Sequence, residues 1–372
     1  MKLLHISDLH IGKKVRGFSL FEDQLHVLKQ VLDTAKKRKV DGIIIAGDIY
    51  DNSTPSGEAV NCFDKFISDI HSLGISCYTV SGNHDSVYRV SFGSNIMAKE
   101  NIFFAKRYSG DIKPIEADKN TNIWLLPFIR PVDVREYHPD FETGSYEEMM
   151  KAVIKNLKID KKKTNILVAH QFITNSGKAP ETCDSETVSL GTLDNIDVSN
   201  FKDFDYVALG HIHRPQSIGR KNVRYAGSML KYSFSEANDK KSMVLIDTDQ
   251  KDMGIELIPY KPLRDMQEFT GTYEELSKLP KTDVYAKIIL KDENCIVDIK
   301  HKLENNFPNV MEIIYDNSST KENKLVGKVE MLEKQSPLEL FETFFERQHN
   351  RKPNEKETRI VQQIFEAMEE TV

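Results

Sequence analysis

One pattern recurs five times along the chain: a short aliphatic run, followed almost at once by a side chain able to bind a metal. Ile43-Ile44-Ile45-Ala46 leads to Asp48. Leu3-Leu4-His5-Ile6 leads to Asp8 and His10. Cys77-Tyr78-Thr79-Val80 leads to Asn83, His84 and Asp85. Ile166-Leu167-Val168-Ala169 leads to His170, and Tyr206-Val207-Ala208-Leu209 to His211 and His213. Short apolar runs of this kind read as strands buried on both faces. Open α/β sheets place their sites outside the carboxyl ends of their strands. Five such ends side by side collect these polar groups in one cleft.

The residue types narrow the chemistry. Asp8-Leu9-His10 and His211-Ile212-His213 are both x, x+2 pairs, and alternate residues of an extended chain point the same way. Carboxylate, imidazole and amide-oxygen donors suit manganese, iron or zinc better than a thiolate-rich set would. Asp8, His10, Asp48, Asn83, His170, His211 and His213 are too many ligands for one ion and suit two. With Asp48 shared between the ions, each keeps open positions, as a catalytic site requires. Paired divalent ions are an arrangement for cleaving phosphoryl esters. His84 directly follows a candidate ligand and is placed to protonate a leaving oxygen or to stabilise transition-state charge. Asp51, three residues beyond Asp48, is expected to orient that imidazole through its carboxylate.

Taken in order, the pattern predicts a strand over 2–6, a helix from Leu20 to Lys39, the strand before Asp48 and a helix from Gly57 to Leu73. The strand before Asn83 and a helix from Val87 to Lys99 follow. Three βα units in a row argue for a parallel sheet. Short apolar segments at 102–104, 112–115 and 122–128 lack long helices between them and read as a second, mixed sheet. A helix is expected at 146–158, a strand at 165–169 and further strands near 206–209, 223–226, 242–247 and 254–258. The polar stretch from Thr174 to Asn200 is long for a loop in a compact domain, which favours a functional role. Beyond Tyr260-Lys261-Pro262, a small α+β unit has strands at 284–290 and 310–315 and a helix at 297–305. A charged linker and two amphipathic helices, 337–348 and 354–370, close the chain. The expected domains are thus 1–260, 261–318 and 319–372.

At 372 residues, 39% of them hydrophobic, the chain can bury a large core. It has no apolar run of membrane-spanning length. No signal peptide is read at its start, and four cysteines without metal-type spacing fit a reducing, cytoplasmic setting. A net charge of −6 does not mark a nucleic-acid binder, so any such surface must be a local basic patch.

In this order, Asp-Leu-His at 8–10, Gly-Asp-Ile-Tyr-Asp at 47–51, Gly-Asn-His-Asp at 82–85, Ala-His-Gln-Phe at 169–172 and Gly-His-Ile-His at 210–213 resemble the calcineurin-like metallophosphoesterases. The opening His-Ile-Ser-Asp-Leu-His-Ile-Gly-Lys and Arg-Tyr-Ala-Gly-Ser-Met-Leu-Lys-Tyr-Ser-Phe-Ser-Glu at 224–236 are similar to the nuclease-subunit branch related to the Mre-type repair nucleases. The resemblance covers about 1–260; the tail matches only in layout. It implies a four-layer α/β/β/α sandwich with a small DNA-binding cap domain and partner-binding C-terminal helices. It implies that Asp8, His10, Asp48 and His213 hold one ion, and Asp48, Asn83, His170 and His211 the other. It implies two divalent cations, Mn2+ above others, with His84 as catalytic histidine. The activity implied is that of a DNA nuclease, a double-strand exonuclease and single-strand endonuclease. Such an enzyme acts in end processing, repair, recombination and replication, as a homodimer beside an SbcC-type coiled-coil ATPase.

Lys13, Lys14 and Arg16, on the loop after the first ligand pair, and Arg214 after His213 are candidate contacts to DNA phosphates; a solvated loop is the plain alternative. Leu338, Phe341, Phe344, Phe345, Val361, Ile364, Phe365 and Met368 form apolar stripes on the closing helices, suited to docking a partner. Two other functions compete: a phosphoesterase acting on nucleotides or other small phosphoesters, and a non-catalytic scaffold. The complete ligand set speaks against the scaffold, and the cap and apolar tail against the small-molecule enzyme.

Overall fold

The computed structural model describes residues 1–138, 145–186, 195–317, 341, 345–346, 351–354, 356–358 and 361. The two closing helices therefore lie outside the described residues apart from scattered positions. The chain divides into two compact units. The first comprises Met1–Phe269, Leu279–Ile288 and Lys300–Ile313, and the second Thr270–Lys278, Ile289–Ile299 and Ile314–Val372.

Four strands in succession, β1 (Lys2–Ile6), β2 (Gly42–Ala46), β3 (Ser76–Val80) and β4 (Ile102–Phe104), pair in parallel. Helix α1 (Phe21–Arg38) connects the first two and α2 (Gly57–Ser72) the next two. The chain then builds a second sheet from β5 (Ile115–Glu116), β6 (Thr121–Leu126), β7 (Thr164–His170), β8 (Tyr206–Gly210), β9 (Gln216–Ser217) and β10 (Val223–Tyr225), with α3 (Tyr146–Lys155) between β6 and β7. Its order is β9-β10-β8-β7-β6-β5, with β6, β7, β8 and β10 parallel. Finally β11 (Ser242–Asp247) and β12 (Glu256–Pro259) return antiparallel to the edge of the first sheet, which becomes β12-β11-β1-β2-β3-β4.

Side-chain alternation makes this a sandwich. Ile43 and Ile45 face the core shared with α1 and α2, while Ile44 and Ala46 face the other way. In the second sheet Leu167, Ala169, Val207 and Leu209 pack in the core shared with α3, while Ile166, Val168, Tyr206 and Ala208 meet Leu3, Ile44 and Val80 of the first sheet. Helix, sheet, sheet and helix follow one another, and every central strand is buried on both faces, which is why the sequence shows runs and not alternation.

Several expectations change. The two stacked sheets are those of the α/β/β/α sandwich that the resemblance implies; the five ligand-bearing strand ends are shared between them and not set side by side in one, and their carboxyl ends meet. Residues 102–104 extend the first sheet, because β4 pairs with β3. The helix expected over Val87–Lys99 is three short pieces, Val87–Val90, Ser94–Met97 and Ala98–Glu100. Gly93, at φ +73°, interrupts it. The last strand of the first sheet is Glu256–Pro259, preceded by a 3-10 turn at Lys251–Gly254.

Beyond residue 260 the strands Met266–Gly271, Tyr285–Leu290 and Val310–Tyr315 form a three-stranded sheet in that order. Helices Tyr273–Leu276 and Ile299–Leu303 accompany it. The unit boundary crosses these strands, so the second unit holds Thr270–Lys278 with its capping box at Thr272 and Glu275. No described helix is long and apolar enough to cross a membrane.

Candidate metal centre

The loops that leave β1 and β2 run side by side. Backbone amides of Asp8, His10 and Ile11 donate to the carbonyls of Gly47, Asp48 and Ile49 at 3.1, 2.9 and 2.9 Å. Asp8, His10 and Asp48 sit at φ 51°, 43° and 48°, and His211 at φ 103°. These left-handed conformations are unusual for residues other than glycine and are concentrated where function demands them. The expectation that extended x, x+2 spacing converges the pairs is therefore corrected: convergence comes from left-handed turns. From α1, Gln24 Nε2 donates to the carbonyls of Leu9 and His10 at 3.1 and 2.7 Å, and Tyr232 Oη donates to Leu9 at 2.6 Å, fixing the first loop. Two glycines let the walls close. A Cβ on Gly82 would overlap Asp48, and one on Gly210 would overlap the Ala46 carbonyl of the other sheet.

These turns bring all seven candidate ligands to one place. Asp48 Oδ2 lies 3.5 Å from His10 Nε2 and 3.4 Å from His170 Nε2. On one side His10 Nε2 is 3.1 Å from His213 Nε2. On the other, Asn83 Oδ1 is 3.0 Å from both His170 Nε2 and His211 Nδ1. Asp8 lies behind, accepting the His211 amide at 2.9 Å and the Ser7 hydroxyl at 2.5 Å. Asp8, His10, Asp48, His170 and His213 are buried; Asn83 is exposed and His211 partly so.

The electrostatics fit a cation. Burial raises the Asp8 carboxyl to about 7 and lowers His211 and His213 to about 3. Burial also lowers His10, more than Asp48 compensates. Burial opposes the charge on Asp48, yet the surrounding histidines, His170 first, hold its carboxyl well below the usual range. Burial likewise opposes charge on His170, and Asp48 outweighs it, lifting His170 to about 9. Hydrogen bonds also set tautomers. The Ala46 carbonyl accepts from His170 Nδ1 at 2.8 Å, so the neutral ring turns a bare Nε2 to the cleft. His10 Nδ1 is buried with no hydrogen-bond partner. Converging lone pairs and two carboxylates are what a divalent-cation site needs. Asp8, His10 and His213 form one group close enough to share an ion, and Asp8, Asp48 and His170 another.

His84 stands at the cleft with its ring 4.9 Å from that of His10. Its amide donates to Asp48 Oδ1 at 3.0 Å, and its Nδ1 donates to the Asp51 carbonyl at 3.0 Å. Asp51 thus orients His84 through its backbone. Its carboxylate is taken by Lys13 at 2.7 Å and lies 3.7 Å from His10, which corrects the role expected for it. Lys13 is itself held over the Tyr232 ring, and Arg214 is paired with Asp239 at 3.1 Å and Glu181 at 3.3 Å. Both cations are thus engaged within the chain. Among the described residues, exposed Arg16 pairs with the partly buried Glu312 at 3.1 Å, and Lys14 is exposed with no ion pair.

Sequence reading missed the residues behind the ligands. Asp85 accepts the amides of Ile49, Tyr50 and Gly82 at 3.1, 3.0 and 2.9 Å, tying the loops after β2 and β3 together. Its place in the Gly-Asn-His-Asp string was the available signal. Cys183, Ser185 and Glu186, from the long loop, reach His213: Glu186 Oε1 accepts its amide at 2.6 Å, and Ser185 Oγ lies 2.7 Å from its Nδ1. Cys183, Glu186 and His213 are also close enough to share an ion. No local spacing marks them.

Residues 1–215 match a family model described as calcineurin-like phosphoesterase. Residues 262–349 match one described as a type 5 capsule protein repressor C-terminal domain. The SbcD subunit of the SbcCD nuclease of Staphylococcus epidermidis is 33% identical over 330 residues, 86% of this chain and 87% of that protein. A solved dimetal phosphatase from Danio rerio aligns at 10% identity over 70% of this chain and 99% of its own, with a TM-score of 0.43. A solved protein from Thermus thermophilus, TT1561, aligns at 12% identity over 70% and 99%, with a TM-score of 0.40. These structural likenesses are too loose to bear on the site.

Proposed function

The chain belongs to the calcineurin-like phosphoesterase family and, within it, to the SbcCD-type nucleases, and we propose that it hydrolyses DNA phosphodiesters with two divalent ions, Mn2+ by preference. The observation that carries this reading is Asp48, whose one carboxylate oxygen lies 3.5 Å from His10 and 3.4 Å from His170. Asp8, His10 and His213 would complete one ion's ligand set with Asp48; Asn83, His170 and His211 would complete the other's. Ions held by these residues would supply Lewis acidity, sharpening a water's acidity and neutralising phosphate charge. The chain's own part is orientation and proton transfer. As water adds to phosphorus, releasing a proton to solvent, and the P–O ester bond breaks, His84 would give its Nε2 proton to the departing oxygen and regain one from solvent, its ring held by the Asp51 carbonyl at 3.0 Å.

The same reading makes the enzyme a double-strand exonuclease and single-strand endonuclease in end processing, repair, recombination and replication. It works in the cytoplasm as a homodimer with an SbcC-type ATPase. In it, 1–260 is the nuclease domain, 261–318 a DNA-binding cap, and 319–372 carries the ATPase contact. Lys14 and Arg16 face DNA phosphates. The test pairs linear duplex and single-stranded DNA with Mn2+ against a panel of nucleotides and cyclic nucleotides. Degradation of DNA with negligible nucleotide turnover is expected; the reverse preference would leave a small-molecule phosphoesterase. A chain ending near Lys321 should keep DNA cleavage and lose co-purification with the ATPase; retained full affinity would rule out the tail as the contact.

A further inference from the structure

Behind His213 lies a buried polar chain that the hydrolytic scheme does not use. His213 Nδ1 is 2.7 Å from Ser185 Oγ, and Ser185 Oγ is 2.6 Å from Glu236 Oε1. Glu236, fully buried, also accepts from the Tyr232 amide at 3.2 Å, the Ser233 hydroxyl at 2.8 Å, the Ser228 hydroxyl at 3.4 Å and Lys241 Nζ at 2.5 Å. Lys241, 7% exposed, turns a second proton to the His213 carbonyl at 2.7 Å. His213 is thus gripped at its ring through Ser185, at its amide by Glu186 and at its carbonyl by Lys241.

The direction of the chain follows from its ends. Glu236, ion-paired with Lys241, is an acceptor only. Ser185 has one proton, and Glu236 is the group that cannot supply one, so the serine hydroxyl donates to the carboxylate. Its lone pairs are then left for His213, whose Nδ1 must carry the proton. His213 Nε2 is thereby bare, and it is the atom that faces His10 Nε2 at 3.1 Å. We propose that Ser185, Glu236 and Lys241 are positioning residues that lock His213 in the Nδ1–H tautomer and so present Nε2 as a metal ligand. The two residues that set the tautomer come from far apart, Ser185 from the long loop and Glu236 from the turn before β11. The seating of Ser185 against the turn at 228–241 is therefore part of the metal site. The role differs from that of the Ala46 carbonyl at His170, because a hydroxyl could face either way and only the buried carboxylate decides which.

This inference rests on the two-ion reading, and the test separates them. Metal-free protein labelled with 15N-histidine is examined by long-range 1H–15N correlation, with His213→Gln identifying the His213 signals; Mn2+ affinity and stoichiometry are measured by calorimetry. The wild type should show His213 protonated at Nδ1. In Ser185→Ala the tautomer should become mixed and the affinity of one of the two ions should fall about 10–100-fold, as for other partners of metal-bound histidines. Ser185→Thr, which keeps the hydroxyl, should restore both. Since Glu236→Gln leaves Lys241 without its buried counter-charge, it is paired with Lys241→Met, and this double variant should reproduce Ser185→Ala. Retention of the Nδ1–H tautomer together with wild-type Mn2+ affinity in Ser185→Ala would overturn the proposal. A wild type that takes up fewer than two ions would sink the two-ion reading, while the tautomer spectrum would still decide the role of the relay.

Discussion

The two halves of the candidate centre are built differently. Around Asp8, His10 and His213 every ligand is buried, with exposures of 0%, 1% and 2%. Their loops are held by Gln24, Tyr232, Glu186 and the Ser185–Glu236–Lys241 chain. Around Asn83, His170 and His211 the rings are held more lightly: His170 by the Ala46 carbonyl and Phe128, and His211 by ring contacts from Phe128 and Phe172 at 6.5 and 6.3 Å, with its amide on Asp8 and the loop before Asn83 tied by Asp85. Asn83 is open to solvent. Rigid, enclosed surroundings hold an ion tightly, whereas an open half can exchange ligands and admit a phosphate. Asp48, between the halves, belongs to both.

Asp48→Asn is the severest break. Both halves lose their shared charge, metal content should fall at both positions and DNA cleavage should drop to background; two ions and normal turnover in this variant would remove Asp48 from its bridging place. Next comes His84→Gln, which removes the ring beside His10 but keeps every candidate ligand and the backbone amide that holds Asp48. Both ions should remain, measured by metal analysis, while cleavage falls roughly 10²–10⁴-fold, as for a lost general acid. Loss of metal would make His84 a ligand instead.

Stepwise chelation sharpens the contrast. Titration with a chelator should remove Mn2+ in two stages, with the open half emptied first and the affinities about 10–100-fold apart given the richer support of the buried half. In Asn83→Ala the weaker stage alone should vanish; a single stage in the wild type would mean that the halves are equivalent. The pH dependence follows from His170, raised from 6.5 to about 9 by Asp48 against the effect of burial. Its Nε2 must lose a proton before binding a cation, so Mn2+ affinity at the open half should rise with pH up to about 9, by at most about tenfold per unit. In metal-free protein the sign is opposite. A raised folded-state value contributes stability that is present below 6.5 and lost as pH climbs through 9, measurable as a falling melting temperature. The smallest effect belongs to the rim: replacing Lys14 and Arg16 with Ala should weaken DNA binding and lower the salt slope by about one to two. An unchanged slope would leave them as ordinary solvated cations.

How far the sequence revealed this site depends on what each residue leans on. The ligands follow aliphatic strands directly, so their positions were legible from local runs. Their backbone was not: Asp8 and His10 look like members of an extended pair, and only the hydrogen bonds to the neighbouring loop after β2 show the left-handed turn. That the five strand ends split between two sheets was legible only through the family resemblance, since a strand buried on both faces carries no mark of which sheet covers it. Asp51 was read by proximity to Asp48, but its carboxylate is claimed by Lys13 from another loop. That Ser185 and Glu236 meet could not be read, although the first lies in the long polar loop and the second ends the 224–236 string, because 51 residues separate them and neither sits in a periodic element.

The left-handed backbone at Asp8, His10, Asp48 and His211 has a consequence for how such a chain drifts over generations. Each strained position costs on the order of 1–3 kcal/mol, set against whatever the side chain does there. While hydrolysis is selected, that cost is tolerated. Once it is not, glycine or asparagine at these four places would relieve the backbone without harm to the fold, and mutation would find them early. A descendant that had become a mere scaffold should therefore carry its history there first, long before its sheets lost their aliphatic runs. This chain, with Asp, His, Asp and His still in place, has kept paying that toll.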